Sequence, residues 1–165
     1  MTTPIERLRQ YGYELPHPKA PVASYIPVTR VSNVIYISGQ TSIGADDVVI
    51  EGRLGENMNV VQGGNAAELC AVNVLAQIVH TAGVDLENIK QILKLTVFVS
   101  SAPEFAEQHL VANGGSNLLI GVLGDKGKHS RSAIGVALSP SHARCPRDAR
   151  HAPADLRGPQ GPHPR

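Results

Sequence analysis

The sequence predicts an α+β fold from three observations. Two β-rich runs, residues 26–30 and 34–38, are separated only by Val31-Ser32-Asn33, the pattern of a hairpin. Between residues 59 and 82 the apolar positions Ala67, Ala71, Val74, Ile78 and Ala82 recur at helical spacing. Residues 89–99 then alternate in the period of two that belongs to a half-buried strand.

Each element follows from local chemistry. Thr3-Pro4-Ile5-Glu6 reads as a capping box, so a short helix opens there and is expected to end near Tyr13, before the proline-bearing stretch 16–21. The hairpin comes next, its second run closing on Ser38-Gly39-Gln40. The helix over 59–82 is the longest, and Gly83 stands where a glycine would end it. In the strand at 89–99, Leu93, Leu95, Val97 and Val99 form the face that seeks a core. Ile92, Lys94, Thr96 and Phe98 form a semi-polar face suited to meeting another subunit. Ser101-Ala102-Pro103-Glu104 reads as a second capping box, opening a helical region interrupted by Asn113-Gly114-Gly115 and closed by Gly124. Residues 132–138 form the next strand segment. The order hairpin, helix, strand, helix, strand places helices on one face of a mixed sheet.

A chain of 165 residues, 42% hydrophobic, buries one core. The domain is assigned to residues 1–137, with 1–20 as an N-terminal extension. Beyond Leu138 the composition changes: the last 28 residues hold six prolines, five arginines and three histidines, and no Val, Ile, Phe or Tyr. Such a segment buries too little apolar surface to offset its ordering entropy and is expected to be disordered or ordered only by another chain. Its five arginines against two aspartates contribute +3 to the chain's +1, which leaves −2 on residues 1–137. No strong field steers the molecule toward nucleic acid or a membrane surface. The two cysteines, Cys70 and Cys145, have no metal or redox spacing, and no apolar run is long enough for a membrane span, so a reduced cytoplasmic compartment is expected.

Arg131, in Lys128-His129-Ser130-Arg131-Ser132, stands at the start of a strand after a glycine- and lysine-bearing loop, where a fixed guanidinium pairs with a carboxylate or simply faces water. Ser38 and Gly39 offer a hydroxyl and an approachable backbone at a strand end, or form an ordinary turn. Tyr25 precedes the first strand and closes over a ligand or packs at its edge. Asn113 orients a polar group or caps the helical break. His80, His109 and His129 share no spacing, and neither a metal site nor a His-Ser nucleophilic pair is expected. The glycine-rich nucleotide loops, the nucleophile elbow and the zinc-protease motif are all missing.

Taken in order, Tyr25, Val34-Ile-Tyr-Ile-Ser-Gly-Gln40, Leu95-Thr-Val-Phe-Val99, Asn113 and Ser130-Arg-Ser-Ala133 resemble the Rid family of imine/enamine deaminases, also called YjgF and often labelled L-PSP endoribonucleases. The match spans roughly residues 20–137. The segments 111–119 and 127–136 resemble a branch distinct from the best-characterised deaminases. The resemblance implies a chorismate-mutase-like homotrimer with clefts between subunits. It implies hydrolysis of 2-imino or enamine acids to 2-keto acids and ammonia, with no cofactor. By the same resemblance Arg131 holds the substrate carboxylate, Ser38 and Gly39 line the floor, and Tyr25 and Asn113 enclose the substrate. Ala133 occupies the place of a cysteine in typical deaminases. The family's final, acidic-residue-bearing strand should follow Ala137, where the proline-rich tail stands instead. A change of reading frame near Leu138 would account for the composition and the resemblance failing at the same place; a Val/Glu-rich strand encoded in neither alternative frame of the DNA would count against it. The competing readings are a non-catalytic small-carboxylate binder and an RNA-acting protein, which the charge and the 4% aromatic content disfavour.

Overall fold

The computed structural model describes residues 2–21 and 23–137. The capping box at its start forms as expected. The Thr3 hydroxyl accepts from the Glu6 N–H at 3.2 Å, Glu6 accepts from the Thr3 N–H at 2.8 Å, and Pro4 takes a position whose N–H needs no helical partner. This helix, α1 (Pro4–Gln10), ends sooner than Tyr13, because Gly12 adopts a φ of +85° and turns the chain. α1 buries Leu8, and its Arg7 Nε donates to the Val122 carbonyl at 2.6 Å.

Strands β1 (Val28–Val31) and β2 (Val34–Ile37) make the antiparallel hairpin, with Val31 opposite Val34 and Ser32 at φ +53° in the turn. The pairing outlasts the strands: the Ser38 N–H bonds to the Pro27 carbonyl and its hydroxyl to the Ile26 carbonyl. Asn59 and Gln62 form a reciprocal cap for α2 (Val60–Ala76), which continues into one π-helical turn, Gln77–Thr81. Gly83, at φ +65°, then ends it. Ala67, Ala71 and Ile78 of the expected apolar face are buried, joined by Val72, Leu75 and Ala76.

β3 (Lys94–Ser100) runs parallel to β4 (Ser130–Val136), pairing Leu95 with Arg131, Val97 with Ala133 and Val99 with Gly135. A parallel pair needs a helical crossover. α3 (Gln108–Val111), α4 (Asn113–Leu123) and a 3-10 turn at Gly124–Gly127 supply it. Leu8, Val72, Leu75, Leu118, Leu119 and Val122 form the most deeply buried part of the core between α1, α2 and α4, and Leu95 and Ile37 pack against that core. The other face of β3–β4 carries Phe98 and Ile134, exposed by 64% and 47%.

Four expectations need correction. In place of a single mixed sheet, the described residues form two ladders of two strands, one antiparallel and one parallel. The strand at 89–99 begins only at Lys94; ahead of it the Ile92 N–H is taken by the Lys126 carbonyl, so Ile92 packs inward while Leu93 is exposed. Ser101–Glu104 does not cap a helix, because the Ser101 N–H goes to Val136 and its hydroxyl accepts from Gln108; the next helix starts at Gln108. The helical break falls at Ala112, and Gly114 and Gly115 lie inside the first turn of α4. They are there for contact. A Cβ on Gly114 would stand 2.0 Å from the Gly64 carbonyl oxygen of α2. The tail from Leu138, and with it the expected disorder, lies outside the described residues. No helix among those residues is long and apolar enough to cross a membrane.

Candidate functional site

β4 alternates its side chains, so Arg131, Ala133 and Gly135 share the face that looks toward α3 and α4. Gly135 has no room for more: a Cβ there would lie 2.8 Å from the Ser101 hydroxyl and 2.9 Å from the Gln108 amide. Arg131, two pleats earlier and half-buried, reaches the start of α4. Its Nη1 donates to Asn113 Oδ1 at 2.9 Å and to Ser116 Oγ at 3.0 Å, and its Nη2 to the His109 carbonyl at 3.1 Å. A guanidinium has five N–H donors. Three are spent, which leaves the Nε–H and one Nη2–H, on neighbouring nitrogens, without a protein acceptor among the described residues. No carboxylate forms an ion pair with Arg131 among those residues either. The group is a charge held in place by neutral acceptors, with donor capacity left on two adjacent nitrogens, Nε and Nη2, the side of a guanidinium that a carboxylate can bridge.

His129 lies beside this cluster. Its Nδ1 is 2.6 Å from the Gly127 carbonyl and its Nε2 is 3.0 Å from Ser116 Oγ. Gly127 is required where it stands, since a Cβ would meet the Leu119 carbonyl at 2.2 Å. The sequence reading missed Ser116 and expected no His-Ser pair. Ser116 is three residues from Asn113, the period of a helix, but His129 lies just ahead of β4 and no local pattern joins it to Ser116.

Of the expected site residues, Arg131 and Asn113 are brought into contact, and Ala133 follows Arg131 on the same face of β4. Tyr25, Ser38 and Gly39 sit at the base of the hairpin, and none of them bonds to Arg131 among the described residues. Tyr25 is 48% exposed, Ser38 is tied to Ile26, and Gly39 has open space where a Cβ would be. The hairpin end is braced from behind. Gln40 donates to the Ser38 carbonyl at 3.0 Å, Asn73 of α2 donates to the Thr41 and Ile43 carbonyls, and buried Gln77 accepts from Thr81.

Two cavities of about 220 and 240 Å³ lie between α1 and residues Leu86–Glu87, away from Arg131. The cationic heads at the first, Arg7 and Lys126, are already bonded to backbone carbonyls. Among the described residues no three His, Cys, Asp or Glu side chains are grouped to hold a metal. Cys70 is not a reactive thiol, because burial pushes its pKa up to about 12.

A family model described as "YjgF/chorismate mutase-like, putative endoribonuclease" matches residues 5–146. The chain belongs to this family. The YjgF-like chain is 38% identical over 143 residues to protein TCP17 of Trypanosoma cruzi, covering 86% of this chain and 89% of that one. Among solved structures it resembles Atu1372 of Agrobacterium tumefaciens, a protein of unknown function, at 42% identity and a TM-score of 0.77, over 84% of this chain and 83% of that one. A protein of Shewanella oneidensis described as a "putative endoribonuclease" gives 31% identity and a TM-score of 0.79, over 84% and 91%. RidA from a Psychrobacter species shares the fold at 23% identity, with a TM-score of 0.51 over 78% and 86%.

Proposed function

We propose that this YjgF-like protein hydrolyses small 2-imino or enamine acids to 2-keto acids and ammonia in clefts between the subunits of a homotrimer. The observation that carries the reading is Arg131: a half-buried guanidinium without a carboxylate partner among the described residues, oriented by three neutral acceptors and left with donors on two neighbouring nitrogens. A substrate carboxylate bound there supplies the missing counter-charge. Water adds to the imine carbon, the nitrogen takes up protons, and ammonia leaves as the carbonyl forms. The imine is already electrophilic, so positioning does most of what catalysis requires. No cofactor enters. Tyr25, Ser38 and Gly39, which do not bond to Arg131 in their own chain, would complete the cleft from a neighbouring subunit, and Asn113 and Ala133 would border the anchored acid.

A second reading is a small-carboxylate binder without turnover, favoured by the lack of any carboxylate bonded to the Arg131 cluster among the described residues. One experiment separates the two. With 2-iminobutanoate or 2-iminopropanoate generated in situ, the intact protein is expected to accelerate imine loss. Arg131→Ala is expected to lower kcat/KM on the order of ten- to a hundredfold, the worth of a charge-assisted pair. No acceleration by a folded assembly that still binds 2-oxobutanoate through Arg131 would leave the binder.

A further inference from the structure

The three bonds that hold Arg131 are not equivalent. Asn113 and His109 are exposed, so water competes for the donors they accept. Ser116 is only 8% exposed and sits in the first turn of α4, where Gly114 and Gly115 lock that helix against Gly64 and Ala67 of α2. Its bond to Nη1 is the one water cannot readily replace.

What the Ser116 hydroxyl can accept depends on where its single proton points, and His129 settles that. A carbonyl only accepts, so His129 Nδ1, 2.6 Å from the Gly127 oxygen, carries the proton. In the neutral ring Nε2 is then an acceptor, and Ser116, 3.0 Å away, donates to it. With its proton so committed, Ser116 presents lone pairs to Arg131. The chain runs in one direction, from the guanidinium through the hydroxyl and the imidazole to the Gly127 carbonyl, and each bond fixes the next.

We infer that Ser116 and His129 are positioning residues, which hold the open edge of Arg131 toward the cleft by keeping His129 in the Nδ1–H tautomer. The inference rests on the reading of Arg131 as a carboxylate anchor, but part of its test does not. Neither side chain is a catalytic residue, since Ser116 is bonded at Nη1, His129 reaches Arg131 only through Ser116, and the donors left for a ligand are at Nε and Nη2.

In the full chain without ligand, long-range ¹⁵N correlation of the imidazoles is expected to show His129 protonated at Nδ1; an Nε2–H tautomer overturns the inference. The Arg131 guanidinium is expected to show hindered rotation in the native protein and faster rotation in Ser116→Ala, and equal rates in both overturn it. Titration with 2-oxobutanoate is expected to give affinities about three- to tenfold weaker for Ser116→Ala and His129→Leu, the worth of one buried hydrogen bond. His129→Gln keeps a donor toward Gly127 and an acceptor toward Ser116, and is expected to stay within about twofold of native. Circular dichroism confirms that each variant is folded. If Ser116→Ala binds like the native protein while Arg131→Ala does not, the anchor stands and the positioning role falls. If the native protein binds no 2-oxobutanoate, the anchor falls, and the tautomer and rotation measurements decide the positioning role alone.

Discussion

The half-buried Arg131 guanidinium and the half-buried Cys70 thiol answer partial burial in different ways. Arg131 gathers three neutral acceptors and leaves donors on Nε and Nη2 for a ligand. Cys70 can stay neutral and does, its pKa raised to about 12 by burial. The unfolded chain gives up that proton near 9.0, so the stabilising contribution is fully present below pH 9 and is lost as pH rises toward 12. Unfolding free energy measured in urea is expected to fall across this window, by up to about 1.4 kcal/mol per pH unit from this group. Burial and Glu68 raise Tyr13 in the same direction, so the discriminating measurement is Cys70→Ala, which should show the shallower alkaline slope. A slope unchanged in that variant would mean that the thiol titrates alike in both states.

At the scale of elements, the crossing of α2 and α4 sets the geometry on which the Arg131 cluster depends. Gly64 and Gly114 meet there with different demands. A Cβ on Gly114 overlaps the Gly64 carbonyl, whereas a Cβ on Gly64 meets nothing within 4 Å. Gly114→Ala should push the helices apart and lower stability by about 1–3 kcal/mol. Gly64→Ala should raise it by about 0.5–1 kcal/mol, since it only removes a helix-interior glycine. Thermal melts of the two variants check both signs. Asn113-Gly114-Gly115 read in sequence as an interruption, because glycine disfavours helix where nothing else is known. The contact with α2 reverses that preference. The two expected capping boxes divide the same way: Thr3–Glu6 forms, while Ser101–Glu104 loses its serine to the end of β3; the Asn59–Gln62 cap was found only in the structure.

For the whole molecule, the open question is what covers the outer face of β3–β4. Phe98 and Ile134 are paired across the ladder and exposed together. An apolar face of this kind on a folded chain is a surface for association. In the proposed trimer it meets its own copies. Sedimentation should then give a mass three times the 17.5 kDa of the chain. Phe98→Asp should return it to one chain and abolish imine loss while Arg131 remains in place. A native protein that sediments as a monomer would remove both the trimer and the shared cleft.

The sequence by itself determined the element order, the Thr3–Glu6 helix cap, the hairpin, and the inward face of β3 from Leu95 on. These are local matters, settled by periodicity and by groups that meet within one turn. The family came from motifs in a fixed order, and the family match agrees. Tertiary structure alone decided that Ser116 and His129 join Arg131, that Ile92 points inward, and that two glycines sit at a helix crossing. Each of those depends on which backbone approaches from far along the chain, through the Lys126, Gly127 and Gly64 carbonyls, and no local pattern records the distance to an atom that arrives from elsewhere.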